Sequence, residues 1–228
     1  MSASNAGLYL LTFFAGFAPA VQIGGRILDQ RGAKPAVVAG AVVSAVGFYL
    51  WATKATDLDG GLGAQWWTIV LAGAGMGLLV GPSNTDAINR ASESSYGEAT
   101  GVTQTVRNFG SALGMAVLGS ILIAANRSNI ESTLGGFGVP TSSADQIAQS
   151  LSQSGGGTSA GFGGGQISAA DQQKVFEAVQ GDFAQSIQLI LYCMAGVMAA
   201  AALVALVGLQ RGKQEVPAED PADSLAPA

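Results

Sequence analysis

The chain has 228 residues, 49% of them hydrophobic and 11% charged, with a formal net charge of -5 and no histidine. A soluble globular domain carries roughly 25% charged residues, and a mean hydropathy of +0.38 with charges confined to gaps between apolar runs points to lipid as the surrounding solvent. The absence of histidine and the lone Cys193 exclude Ser-His-Asp and Cys-His catalysis, His- or Cys-ligated metal and an internal disulfide framework, and no basic run is dense enough for nucleic acid.

A helix needs about 20 apolar residues to cross a hydrocarbon core of roughly 30 Å. Five segments meet that length: Ala6–Gly25, Pro35–Ala52, Trp66–Thr85, Gly101–Ala125 and Ser186–Leu209. Four of them hold no charged side chain, and the remaining one holds only Arg107. The predicted architecture is therefore an all-α integral membrane protein. Residues 1–125 supply four transmembrane helices (6–25, 35–52, 66–85 and 101–125), and 126–184 form an extracytoplasmic loop. The last transmembrane helix occupies 185–209, and 210–228 form a disordered cytoplasmic tail. In that tail Glu215, Glu219, Asp220 and Asp223 lie among prolines, a composition that favours solvation over folding.

The first run is not a signal peptide: no basic region precedes it and it is too long for a signal core. A sequence that opens Met-Ser-Ala-Ser-Asn and enters a span almost at once fits a native start or a cut in a longer protein. With Met1 outside, the inner segments carry Arg26, Arg31, Lys34, Arg90, Arg211 and Lys213, against Lys54, Arg127 and Lys174 outside. The positive-inside rule then predicts an outer N-terminus and a cytoplasmic C-terminus in the plasma (inner) membrane, with Trp66 and Trp67 at the outer interface.

Small residues recur at helical spacing. Gly73, Gly77 and Gly81 share one face of the third span, and Gly110 and Gly114 share one of the fourth. Such faces let backbones approach closely where no hydrophobic effect drives helices together. Pro19 and Pro82 fall inside spans, where neighbouring groups must satisfy the carbonyls they free. The outer loop predicts two short helices, one from Ser143 to Leu151 and one from Ser168, with Asp171 in capping-box position. The glycine-dominated stretch Ser154–Gly165 between them reads as a linker, so that the loop forms a hairpin or lid over the bundle.

The most informative short segment joins the first two spans: Gly25-Arg26-Ile27-Leu28-Asp29-Gln30-Arg31-Gly32-Ala33-Lys34. Gly25 suits a close helix approach, and Gly32 a tight reversal with positive φ. Asp29 suits a neighbouring helix N-terminus, and Arg31 and Lys34 suit carboxylates or lipid phosphates. The segment resembles the signature loop of the major facilitator superfamily, Gly-x-x-x-Asp-x-x-Gly-Arg-Lys, through Gly25, Asp29, Gly32 and Lys34. Ala33 stands where that family has arginine, and Arg31 supplies a charge two positions earlier. Gln104-x-x-Arg107-x-x-Gly110-x-x-x-Gly114 looks like the penultimate helix of the 14-helix drug:proton antiporter (EmrB/QacA-like) branch, in which a long outer loop also precedes the last helix.

The resemblance implies that Gly25, Asp29, Arg31, Gly32 and Lys34 form a cytoplasmic conformational latch. It also implies that the five spans are the last five helices of a transporter whose N-terminal half lies elsewhere. Its partners would be the bilayer, an unidentified small-molecule substrate and protons, with no cofactor, metal or enzymatic activity. No span holds a mid-membrane carboxylate, so the coupling acids of such a transporter fall outside this chain.

Arg107 is the one formal charge inside a span. It fits an inner gate with Asp86, with Asn84 and Gln104 as hydrogen-bonding neighbours, and it also fits an arginine snorkelling to the headgroups, as long basic side chains near helix ends commonly do. Gln22, Asn84, Gln104 and Tyr192 are the polar residues available to line a cavity. A second reading of the chain is a stand-alone membrane scaffold, or a split half-transporter that needs a partner chain.

Overall fold

The computed structural model describes residues 3–57, 61–89, 96–136, 169–209 and 212. These residues form α1 (Ala3–Arg31), α2 (Ala33–Lys54), α3 (Gly61–Asn89), α4 (Tyr96–Gly136) and α5 (Ala169–Gly208), with no strand among them. All five helices are long and apolar enough to cross a membrane. The protein is an all-α, multi-pass membrane protein.

The helices outrun the apolar segments that nucleate them. α4 has 41 residues and α5 has 40, so at about 1.5 Å per residue each is roughly 60 Å long, about twice a hydrocarbon core. Residues 126–136 and 169–184, expected as part of the outer loop, are instead direct continuations of α4 and α5. One physical reason is legible in α4, where Arg127 Nε meets Glu131 Oε1 at 2.6 Å one turn on. Such a pair supports the helix beyond the apolar stretch. The short helix expected from Ser168 is the opening of α5 and not a separate element. The Ser143–Leu151 helix, the Ser154–Gly165 linker and the acidic tail lie outside the described residues.

α3 lies between α1 and α2 and packs extensively against both; α2 also packs against α5, and α5 against α4. α1 touches neither α4 nor α5, and α4 only grazes α3. The buried surfaces are built from small side chains. Phe48, Ala52, Ala72, Leu191 and Ala195 join α2, α3 and α5, while Ala33, Val37 and Ala205 join α2 to α5 nearer the α1–α2 turn. Lipid tails are as apolar as leucine, so only close van der Waals contact distinguishes helix from lipid as a neighbour.

Glycine makes that contact possible. Gly73 and Gly77 of α3 sit against the carbonyl oxygens of Phe13 and Phe17 in α1. On the other side of α3, Gly75 abuts the Ser44 backbone, and a Cβ on Gly47 of α2 would lie 2.5 Å from Ala72 N. Both prolines remain within continuous helices, and Pro82 is buried with its ring packed near Gly24 of α1.

α4 is built on different terms. Val102, Phe109, Leu113 and Met115 are 58%, 69%, 54% and 74% exposed, and among the described residues nothing lies within 4 Å of a Cβ built on Gly101, Gly110, Gly114 or Gly119. Its packing is concentrated far along the helix, where Ile130 and Asn126 are buried.

Candidate functional site

The link between α1 and α2 is a single residue. Gly32 takes φ 84° and ψ 176°, and its N–H donates to the Leu28 carbonyl at 2.9 Å, closing the last turn of α1. Only glycine adopts that φ without steric cost, so the reversal expected there is present. The other latch residues depart from expectation. Asp29 is exposed, and α2 receives no side-chain capping bond at its N-terminus, so Asp29 does not cap it. Gly25 has open space around it; the close approach to α3 falls one position earlier, at Gly24, whose Cβ would lie 3.0 Å from Leu78 O. One residue shifts the facing direction by about 100° on a helix, which is enough to turn a contact face outward. Arg31 and Lys34 make no ion pair among the described residues.

Asp86, near the end of α3, is 4% exposed. Arg107, in the opening third of α4, is exposed, and no ion pair joins the two in this conformation. Gln104 is exposed beside Arg107, and Asn84 is half-buried. Gln22 is exposed on α1. Tyr192 lies on the outside of the α2–α5 pair, 37% exposed, with its ring 5.5 Å from that of Tyr49. The structure therefore brings Tyr192 to Tyr49 and not to Gln22, Asn84 or Gln104.

Two polar clusters at the opposite end of the bundle carry more structure than the sequence announced. The last carbonyls of α2 are satisfied from two directions: Gln65 Nε2 donates to Lys54 O at 3.0 Å, and Gln188 Nε2 donates to Ala52 O at 3.0 Å. Trp51 Nε1 in turn donates to Gln65 Oε1 at 3.1 Å, holding that amide in place. Between α4 and α5, Asn129 Nδ2 donates to Ser186 Oγ at 3.3 Å and to Asp182 O at 3.4 Å, and Ser186 Oγ donates to Asp182 O at 2.9 Å. Asn126 Oδ1 and Asp182 Oδ2 are buried nearby without a hydrogen-bond partner. The legible signal was the helical spacing of Asn126 with Asn129 and of Asp182 with Ser186, three and four residues apart.

The Asn129 bridge joins α4 to α5. Asn129→Ala is expected to weaken the α4–α5 contact by about 0.6–2 kcal/mol, the range of interhelical hydrogen bonds in membranes. Half-buried Cys193 on α5 is a built-in reporter: its labelling by a thiol dye during heating in detergent should begin at lower temperature in the variant. Unchanged labelling would show that the bridge does not hold the helix.

The described residues thus define a multi-pass helical membrane protein whose most exposed helix is also its most weakly packed. Over 125 residues the chain is 30% identical to the multidrug transporter protein MdtP of Bacillus subtilis (strain 168). The similar stretch is 54% of this chain and 23% of that relative, so the chain accounts for less than a quarter of the relative's length. No family model and no solved structure matches the chain.

Proposed function

We propose that this chain forms one wall of a proton-coupled efflux transporter for drugs or other small molecules. In this reading it supplies the last five helices of a major facilitator protein of the 14-helix branch, working by alternating access. The similarity to a multidrug transporter carries the reading. The single-residue reversal at Gly32 within a signature-like loop supports it, as does α4, whose glycine face and Arg107 are open to a further set of helices. In alternating access two bundles rock about a site between them, and a helix tied to its own bundle chiefly near one end is suited to that boundary. In this reading the N-terminus lies outside and the C-terminus in the cytoplasm of a plasma (inner) membrane protein.

The same transporter would carry an inner gate formed by Asp86 and Arg107. Asp86 and Arg107 lie at the same end of the bundle, near the end of α3 and in the opening third of α4, and the gate is a pair between them formed in another state of the cycle. In everted vesicles containing the full transporter, addition of a lipophilic cationic drug should dissipate an imposed proton gradient. Asp86→Arg or Arg107→Asp alone should slow that flux about tenfold, the scale of losing one interhelical ion pair of about 1.4 kcal/mol, and the double exchange should restore it. No drug-dependent proton flux would overturn the transporter reading; flux without rescue by the exchange would overturn the gate alone.

A further inference from the structure

Three helix ends converge beside the Gly32 turn: the end of α1, the start of α2 and the end of α5. Between them lies a cavity of about 370 Å³ lined by Arg31, Lys34, Pro35, Val38, Leu206 and Gly212. Its two halves differ in chemistry. Arg31 and Lys34 sit at the rim, where the membrane-length helices begin and end, and neither makes an ion pair among the described residues. Val38 lies one helical turn beyond Lys34 along α2, and Leu206 lies in the last turn of α5, so the wall leading into the membrane is apolar.

A soluble anion would be matched by the rim alone and would leave the apolar wall against water. A phospholipid matches both parts, with its phosphate between the two cations and an acyl chain along Val38 and Leu206. Basic residues at a membrane boundary are attracted to anionic lipid surfaces by roughly equal increments for each cation, and Arg31 brings a planar fork suited to two phosphate oxygens. We propose that this cavity is a binding site for one anionic phospholipid, held by Arg31 and Lys34. Its occupancy would brace the α1–α2 turn against the end of α5. The site stands apart from any transport substrate and does not depend on the chain being part of a transporter.

The test is native mass spectrometry of the whole protein released from nanodiscs of equal phosphatidylglycerol and phosphatidylcholine, with inorganic phosphate as a competitor. One retained phosphatidylglycerol per protein, not displaced by phosphate, is the expected result. Arg31→Gln and Lys34→Gln should each lower its retention about fivefold, and Leu206→Ser should lower it while leaving weak phosphate binding unchanged. Lys54→Gln, at the other end of the bundle, should retain it fully. Equal retention of the two lipids by the unaltered protein would overturn the proposal, and that readout needs no variant to fold. Displacement of phosphatidylglycerol by phosphate would assign the site to a free anion and overturn the lipid assignment.

Discussion

Gly73→Leu is expected to separate α1 from α3 and to lower the stability of the bundle by about 3 kcal/mol or more, at or beyond the upper range for overpacked sites. The reason is what stands opposite. A Cβ at position 73 would collide with the Phe13 carbonyl oxygen, and would lie 3.1 Å from its carbon and 3.4 Å from Phe17 N. These are backbone atoms of a continuous helix and cannot rotate aside, so relief requires moving α1 itself. Gly81→Leu, two turns further on the same face, is the matched control. There the nearest atom is Val21 Cγ1 at 3.4 Å, the tip of a side chain, and about 1 kcal/mol or less should be lost. Thermal labelling of Cys193 would compare the two, supported by crosslinking between cysteines placed on α1 and α3. Equal melting of both variants would mean that α1 does not rest on the glycine face of α3.

The opposite outcome is expected for the fourth helix. Gly110→Trp should leave the 228-residue chain as stable as before, because no atom of the described residues stands within 4 Å of a Cβ at that position. In the complete transporter of the proposed function, the same substitution should reduce drug efflux about tenfold or more, since close helix approach at a small-residue face is what a bulky side chain forbids. The two measurements must be made together. Loss of stability in the chain alone would show that α4 already packs its glycine face internally. Unchanged efflux would show that this face meets only lipid, and would remove the main geometric support for an opposing set of helices.

These two glycine faces also mark the boundary of what the sequence could disclose. Both follow the same spacing of four, and the pattern predicts a close approach on either helix. Only the partner decides whether the approach occurs, and the glycine face of α3 meets α1 whereas the glycine face of α4 meets no partner among the described residues. The five spans were legible because apolar length is a demanding criterion in a bilayer, and the Gly32 reversal because so short a link between two helices calls for a residue tolerant of positive φ. The signature loop points to Gly25 whereas the close approach falls at Gly24, because adjacent glycines cannot be assigned to a face without the neighbour. Helix ends were less legible still: polar sequence such as Asn126–Glu131 reads as loop by composition but continues as helix by local pairing. Gln65 and Gln188 carry no signal in the sequence, because polar residues near span ends ordinarily meet water, not the last carbonyls of another helix.

The single-residue turn between α1 and α2 has a consequence for how the protein is made. So short a link obliges the two helices to enter the bilayer together as a hairpin, antiparallel from the outset. Yet their mutual contact is slight, and Gly16, Gly24, Gly40 and Gly47 all face α3 instead. Until α3 leaves the ribosome and inserts, the nascent hairpin holds its closest-packing surfaces open to lipid. The interval between synthesis of Lys54 and of Asn89 is therefore the stretch of biogenesis in which insertases and membrane proteases have most purchase on the chain.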